Sequence, residues 1–214
     1  MKKAGAGADR LMGGPIGRRR HERGAKRRSA DDERQAVGLF SSAGIGELGL
    51  DSAGISVTVA SELVPYRAAL YRRNFPTTMM VEGDIWTVKD EIIAAARDRL
   101  GDAELFMVYA TPPCQGMSSN GAGKLQYEIE AGRRDHEEPR NRLIIPTVDI
   151  INELRPQFVL LENVPQMMHT VIRNEEDEPE RILDFVERKL GPDYVGRAEV
   201  LACEDFGIPQ RRKR

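Results

Sequence analysis

The feature that most constrains the fold of this chain is an alternation of short apolar runs with longer stretches of helical periodicity. Strands that alternate with helices form βαβ units with right-handed crossovers, so we predict an α/β fold with a doubly wound, mostly parallel sheet. Such sheets bind ligands at the carboxyl ends of their strands. The predicted strands are Ala36–Phe40, Ile55–Ala60, a run ended by Gly83-Asp84-Ile85, Leu105–Tyr109 and Phe158–Leu161; the predicted helices are Pro65–Asn74, Glu91–Leu100, Asn141–Leu154 and Pro179–Leu190.

Charge is distributed unevenly along the chain. Residues 1–30 hold ten Lys or Arg and two acids, a net charge of +8, while the whole 214-residue chain carries −2 and the remainder therefore −10. Residues 1–33 are rich in Gly, Ala and Arg without apolar periodicity, so we predict a disordered basic tail followed by one domain over residues 34–214. This tail is interpreted first as a solvated leader, and alternatively as an arm that contacts phosphates.

Several classes of protein are disfavoured by the sequence. No apolar run approaches the roughly 18 residues that a membrane helix needs, and no apolar stretch follows the basic N-terminus as in a secretory signal. The two cysteines, Cys114 and Cys203, form neither a disulfide framework nor a metal-ligand pattern. We therefore expect no metal, no membrane association, and a reducing cytoplasmic setting.

Polar and small residues follow three of the predicted strands. The turn Phe40–Gly46 has the small residues that let a ligand approach the backbone at a helix N-terminus. Glu62 lies at the end of the second strand, about 20 residues after the turn, where doubly wound nucleotide-binding domains place a carboxylate that holds ribose hydroxyls. Asp84 could accept from an adenine amino group and Ile85 could cover the ring, although a helix N-cap explains Asp84 equally well.

The run Thr111-Pro112-Pro113-Cys114-Gln115 follows the fourth predicted strand directly. Two prolines fix the backbone before the thiol, which favours a nucleophile over an inert buried cysteine. Glu162-Asn163-Val164 ends the next strand, where a buried carboxyl could donate to or accept from a base. The chain closes with Gln210–Arg214, which could also be a solvated basic run.

Together these motifs resemble the DNA (cytosine-5) methyltransferases, in family order from about Val37 to Arg214. The resemblance implies a Rossmann-like S-adenosylmethionine-dependent methyltransferase fold, with S-adenosylmethionine as cofactor and double-stranded DNA as partner. A bacterial, nucleoid-associated role in DNA methylation and restriction-modification is expected. The implied cofactor-binding residues are Phe40, Ser41, Ala43, Gly44, Ile45, Glu62, Asp84, Ile85, Pro113 and Leu143; those at the substrate base are Gln115, Asn163 and Val164; the catalytic ones are Cys114, Glu162, Arg212 and Arg214.

The mechanism implied by the resemblance begins with a cytosine flipped out of the duplex. The Cys114 thiolate attacks carbon 6 of the ring while Glu162 holds the ring nitrogen and the amino group. Carbon 5 then takes the methyl group from S-adenosylmethionine, and loss of the carbon-5 proton and of the thiol releases the product. Arg212 and Arg214 orient the base, and the loop Ser118–Pro139 closes over it.

The sequence departs from the family pattern at two places. Ser42 and Ile45 stand where the family usually has Gly, and Ala110-Thr111 where it often has two glycines. Family members also continue beyond the arginine motif into a target-recognition region and a last segment that completes the cofactor pocket. We therefore expect either a truncated chain or one subunit of a split enzyme, with a second polypeptide supplying those parts.

Three alternatives remain open from the sequence. The same chemistry on the same fold is used by tRNA cytosine-5 methyltransferases. An inactive fragment, or a subunit that needs a partner chain, would also fit the absent C-terminal parts. A plain cofactor-binding module would not explain Pro113-Cys114-Gln115.

Overall fold

The computed structural model describes residues 34–113 and 139–214, together with the backbone of Ile16–Arg18. The strands are β1 Ile16–Arg18, β2 Arg34–Leu39, β3 Ile55–Glu62, β4 Met79–Glu82, β5 Met107–Ala110, β6 Phe158–Leu161, β7 Val171–Arg173, β8 Pro179–Arg181 and β9 Tyr194–Val195. The α-helices are α1 Ile45–Ser52, α2 Pro65–Asn74, α3 Ile85–Leu100, α4 Ile144–Leu154 and α5 Ile182–Leu190; three 3-10 helices cover Pro139–Leu143, Pro165–His169 and Cys203–Phe206.

The main sheet has seven strands in the order β4-β3-β2-β5-β6-β1-β9. Strands β4, β3, β2, β5 and β6 are mutually parallel, and β1 pairs antiparallel with both β6 and β9. The chain runs outward from β2 in one direction and then returns to add β5 and β6 on the other side. This reversal at β2 and β5 confirms the predicted doubly wound, mostly parallel sheet.

Helices cover both faces of the sheet. On one face, α3, α4 and α5 pack over a core that includes Val37, Val59 and Val108. On the other face, α1 and α2 pack over a smaller core that includes Ala36, Val57 and Ala60. The pleat sends alternate residues to opposite faces, so the near-continuous apolar strands of this sequence are those of a sheet buried on both sides.

Two predicted helices have different beginnings in the structure. Helix α3 starts at Ile85 rather than Glu91, because Asp84 caps it by accepting from the Trp86 amide at 3.0 Å. Helix α5 starts at Ile182, and Pro179–Arg181 forms a hairpin with β7 instead. The turn of that hairpin is held by Asn174, whose Oδ1 accepts from the Glu176 and Glu178 amides at 3.0 Å each. A side chain that replaces backbone partners in this way is a common alternative to an early helical turn.

The predicted helix Asn141–Leu154 consists of two parts in the structure. Its first residues belong to the 3-10 helix Pro139–Leu143, and the α-helix begins at Ile144. Pro146 lies in the first α-helical turn, where its missing amide hydrogen costs no hydrogen bond. Pro146 therefore does not interrupt the helix.

The N-terminal segment contributes one short element. Ile16–Arg18 forms β1, which pairs Ile16 with Val159 and Arg18 with Tyr194. For these three residues the prediction of a disordered tail is wrong, because the sheet offers them backbone partners on both sides. The rest of residues 1–33 lies outside the described residues, as does the predicted loop Ser118–Pro139 except Pro139 itself.

Within residues 16–18, 34–113 and 139–214, no helix combines the length and the apolar character needed to cross a membrane.

Candidate active site

Most of the predicted site residues follow the carboxyl ends of the five parallel strands. The Glu62 half comprises the ends of β4, β3 and β2, and the Glu162 half comprises the ends of β5 and β6. With neighbouring strands about 4.8 Å apart, the row is about 19 Å long. One extended ligand can therefore lie along several strand ends at once.

The turn after β2 has an unusual backbone. Phe40 and Ser42 have φ angles of 61° and 49°, and Gly44 follows with 89°. A left-handed conformation at a residue other than Gly is uncommon and costs about 1–3 kcal/mol, so it is found mostly at functional sites. A side chain at Gly44 would collide with the ring of Phe75, which explains the glycine there. The turn thus presents backbone groups at the edge of the sheet.

The remaining residues of the turn differ in exposure. Ser41 is buried and donates its amide to the Ser61 carbonyl at 2.9 Å. The Ala43 carbonyl accepts from the side chain of Asn74 at 2.9 Å. Ile45 begins α1 and is 73% exposed, so it lies open at the site. Its position and exposure suit contact with a ligand better than a role in the core.

Glu62 fastens this turn to the end of β3. Its two carboxylate oxygens accept from the Ser42 and Val64 amides, both at 2.8 Å, and the residue is 6% exposed. Hydrogen bonds from backbone amides to a carboxylate are charge-assisted and strong. Each oxygen still has a second lone pair, so Glu62 can accept from a ligand hydroxyl without giving up the turn.

Asp84 and Ile85 both stabilise the fold. Asp84 is the N-cap of α3, and Ile85 is 5% exposed and belongs to the core. Two exposed apolar neighbours were missed by the sequence reasoning: Leu63 at 59% and Trp86 at 42% exposure. Each directly follows a predicted site position, Glu62 in one case and Ile85 in the other, and that adjacency was the available signal.

Hydrogen bonds connect the Glu162 half to the turn that follows β2. The Thr111 amide donates to the Leu39 carbonyl at 3.2 Å, and the Thr111 hydroxyl donates to the Phe40 carbonyl at 3.1 Å. Across the next gap, the Asn163 side chain donates to the Pro112 carbonyl at 3.0 Å and accepts from the Val164 amide at 2.8 Å. The segment leading to the predicted nucleophile is therefore anchored on both sides.

Glu162 meets the last arginine of the chain. Arg214 Nε lies 2.6 Å from Glu162 Oε1. Antiparallel backbone hydrogen bonds pair Leu201 with Arg214, and the Cys203 amide donates to the Arg212 carbonyl. These bonds hold the residues around Arg214 in an extended conformation next to Glu162. The structure thus joins two predicted site residues that are far apart in sequence.

Opposing influences act on the pKa of the Glu162 carboxyl. Burial raises its pKa, and the positive charge of Arg212 lowers it in part. A hydrogen-bonded cation at Arg214 also favours the charged form. This group can accordingly donate a hydrogen bond when protonated or accept one when charged.

The other predicted cofactor residues are Leu143 and Pro113. Leu143 ends the 3-10 helix Pro139–Leu143, packs against the core, and accepts at its carbonyl from the Thr147 hydroxyl at 2.7 Å. Pro113 is partly buried and is the last described residue before residue 139. Cys114 and Gln115 lie outside the described residues. In the described part of the chain, no cluster of three His, Cys, Asp or Glu side chains could hold a metal ion.

Comparison with known sequences finds one matching family and many relatives. The profile of the C-5 cytosine-specific DNA methylase family matches residues 35–214. The Type II methyltransferase M1.HgaI of Avibacterium volantium is 36% identical over 180 residues, which cover 83% of this chain and 47% of that protein. M1.HphI of Haemophilus parahaemolyticus is 33% identical, with coverage of 83% and 43%. M.AquIA of Picosynechococcus is 31% identical, with coverage of 85% and 70%. The chain thus spans less than half the length of the first two relatives.

Two solved structures agree with this result. A prophage-encoded E. coli protein described as a DNA modification methyltransferase has a TM-score of 0.60 and 26% identity, covering 84% of this chain and 44% of that one. The S. pombe Dnmt2 methyltransferase has a TM-score of 0.53 at 18% identity and coverage of 84% and 46%, which supports the fold. The predicted Rossmann-like methyltransferase fold is confirmed. With a family match over the whole of residues 35–214, the chain belongs to the C-5 cytosine-specific DNA methylases.

Proposed function

We propose that this chain provides the cofactor-binding and catalytic part of an enzyme that methylates carbon 5 of cytosine in double-stranded DNA. The observation that carries the proposal is the meeting of Glu162 with Arg214, 2.6 Å apart, beside the anchored Pro112–Pro113 segment. Family membership supports the same chemistry. The boundary at residue 33 and the single catalytic domain over residues 34–214 are part of this proposal.

The Glu62 half fits S-adenosylmethionine. Its bare left-handed turn and buried carboxylate present backbone groups and hydroxyl acceptors side by side, as a nucleoside with an amino-acid tail requires. When bound, S-adenosylmethionine supplies the methyl group. We assign cofactor contacts to the turn and the adjoining strand ends: Phe40, Ser41, Ala43, Gly44, Ile45, Glu62, Asp84, Ile85, Pro113 and Leu143.

The Glu162 half acts on the base. Cys114, as thiolate, forms a bond to carbon 6 of a flipped-out cytosine, and Glu162 hydrogen-bonds the ring nitrogen and amino group. Arg212 and Arg214 present planar donors that orient the base and keep Glu162 in place. We assign the remaining base contacts to Gln115, Asn163 and Val164.

Target recognition is proposed to come from further sequence or from a second polypeptide. The first two relatives are more than twice as long as the part that this chain matches. A strip that includes Val200, Leu201, Phe206 and Ile208 is 46–66% exposed next to the arginines. An exposed apolar strip at this edge suits contact with such a region.

A labelled-methyl transfer assay tests the proposed function. The 214-residue chain is incubated with labelled S-adenosylmethionine and either duplex DNA or tRNA, alone and with any polypeptide encoded immediately downstream. We expect label on carbon 5 of cytosine in DNA. Label only in tRNA would replace the substrate, and no label in any combination would contradict the proposal.

A further inference from the structure

A buried polar cluster lies directly beneath the turn Phe40–Gly46. It consists of Ser41 in the turn, Glu47 on α1, Tyr71 on α2 and Tyr109 on β5, and we call it the sub-turn cluster. Glu47 is 1% exposed and Tyr71 is fully buried. A carboxyl is rarely buried to this degree unless it is paired. The proposed chemistry gives Glu47 no task, so its burial needs another reason.

Glycines leave the room that this cluster occupies. A Cβ on Gly38 would lie 2.8 Å from Ser41 Oγ and 2.9 Å from Glu47 Oε1. A Cβ on Gly46 would collide with the Tyr109 hydroxyl. The serine hydroxyl and the carboxyl therefore share the space beside the β2 backbone, at the point where the strand enters the turn.

The oxygens of the cluster have unused hydrogen-bonding capacity. Ser41 Oγ, Glu47 Oε1 and Tyr71 OH are buried without a hydrogen bond to another described residue. Ser41 Oγ and Glu47 Oε1 adjoin the same point beside Gly38, and the Ser41 hydroxyl opposes the rise in the pKa of Glu47, so the two groups are placed to form a hydrogen bond. Closing that bond is favoured because a buried polar atom left unpaired is costly.

The surroundings of the cluster disfavour the charged form of Glu47. Burial raises the pKa of Glu47, and only the Ser41 hydroxyl and the residue's own backbone oppose it. Burial, Glu162 and Glu47 together raise the pKa of Tyr109 to about 12, and burial and Glu47 raise that of Tyr71. The groups that face Glu47 from α2 and β5 are thus neutral phenols. They do not supply the cation that a buried carboxylate would need.

We propose that Glu47 is a positioning residue: its buried carboxyl holds the Ser41 hydroxyl from below and thereby fixes the left-handed backbone of Phe40 and Ser42 for the cofactor. The importance for the cofactor rests on the proposed function, whereas the ordering of the turn does not. Glu62 holds the same turn through the Ser42 amide. In this proposal two carboxyls hold the turn, with Glu62 on the side of the ligand and Glu47 on the opposite side.

Hydrogen exchange tests the ordering of the turn without any cofactor. Exchange of the Phe40–Gly44 amides is compared in the cofactor-free 214-residue chain and in Glu47→Met, which keeps the volume but removes the hydrogen bond. Glu47→Gln is the conservative variant, because a neutral amide can still bond Ser41. Glu180→Gln is the control: it removes a carboxyl that binds Arg188 at 2.7 Å in the β7–β8 hairpin.

The expected result is faster exchange in the turn of Glu47→Met, by about tenfold, with near wild-type exchange in Glu47→Gln and Glu180→Gln. S-adenosylmethionine affinity, measured by calorimetry, should fall in Glu47→Met by a similar factor. A folded Glu47→Met protein whose turn exchanges like wild type overturns the proposal. So does an equal loss in Glu47→Gln, since the hydrogen bond would then not be responsible.

If Glu47→Met does not fold, Ser41→Ala takes its place, because it removes the hydroxyl partner while leaving the core intact. Faster exchange in the turn supports the proposal, and unchanged exchange overturns it. Failure of the wild-type chain to bind S-adenosylmethionine, both alone and with the polypeptide encoded downstream, would refute the proposed cofactor site instead. The exchange comparison would still decide whether Glu47 positions the turn.

Discussion

The two halves of the sheet edge are built in different ways. In the Glu62 half, the almost fully buried Glu62 carboxylate accepts hydrogen bonds from two backbone amides. Both amides lie within 20 residues of Glu62 in the sequence. In the Glu162 half, the Glu162 side chain is 37% exposed and its partner, Arg214, arrives from the far end of the chain. The first half is therefore set by local structure, and the second depends on a long-range contact.

This difference suits two different tasks. A site that binds the same cofactor in every turnover gains from a fixed arrangement, because ordering has been completed before binding. A site that receives a base from a duplex must admit a large partner and then close around it. Half-exposed groups held by one ion pair can rearrange at lower cost than a buried carboxylate.

The sharpest separation of the two halves comes from Cys114→Ser. If the thiol is the nucleophile, methyl transfer should fall by about four orders of magnitude or more, because a nucleophile is lost outright. The affinity for S-adenosylmethionine should stay within about twofold, since the Glu62 half is untouched. Single-turnover methyl transfer and calorimetry measure the two quantities. Retained turnover in the variant would show that Cys114 is not the nucleophile.

Replacing the Glu162 carboxyl with a neutral amide has the next largest expected effect. Glu162→Gln should reduce kcat by about a hundredfold to a thousandfold, as loss of one stabilising group in an active site commonly does. KM for S-adenosylmethionine should change little. Steady-state kinetics at saturating DNA provide the measurement. A large rise in that KM with unchanged kcat would mean that the two halves are not separate.

The opposite pattern is expected for Glu62→Ala. Loss of a carboxylate that accepts from the turn and from the cofactor should weaken S-adenosylmethionine binding about tenfold to a hundredfold, the range for hydrogen bonds to a charged group. The bound complex should keep most of its kcat. Calorimetry with the 214-residue chain gives the affinity. An affinity equal to that of the wild type would remove Glu62 from the cofactor site.

Asp84 is expected to give the smallest effect, and it separates its two assigned roles. Asp84→Ala removes the N-cap of α3 and should lower the free energy of unfolding by about 1 kcal/mol. Asp84→Asn keeps a good cap, so its stability should match the wild type. A weaker S-adenosylmethionine affinity in Asp84→Asn would support the adenine contact. Equal affinity would leave the cap as its sole role.

Patterns within one element were sufficient to predict most of the sheet. The strands beginning near Ala36 and Ile55 are confirmed, and their apolar residues are buried on both faces of the sheet. The strand Phe158–Leu161 is also confirmed, although Leu160 is 39% exposed. The beginning of α5 was not predictable in this way. Pro179 is typical of a first helical turn, but the Asn174 side chain builds a hairpin turn upstream and draws Pro179 into β8.

The candidate site was predictable in its parts and not in its connections. Each motif at a strand end could be recognised because the spacing of βαβ units fixes where strands stop. The Glu162–Arg214 pair and the bond between Asn163 and Pro112 depend on how separate segments meet in space. Glu47 was overlooked, since a single Glu on an apolar helix face has no sequence signature of burial.

Strand β1 has a consequence for how this protein folds. It pairs Ile16 with Val159 and Arg18 with Tyr194, so its partners leave the ribosome long after it does. Contacts between such distant segments form late, because closing a long loop precedes any gain from pairing. Strand β1, which is synthesised before the other described strands of this sheet, is thus expected to be among the last to join it. During that interval β6 and β9 expose free backbone edges, and these are the places where a folding chain is most prone to pair with a neighbour.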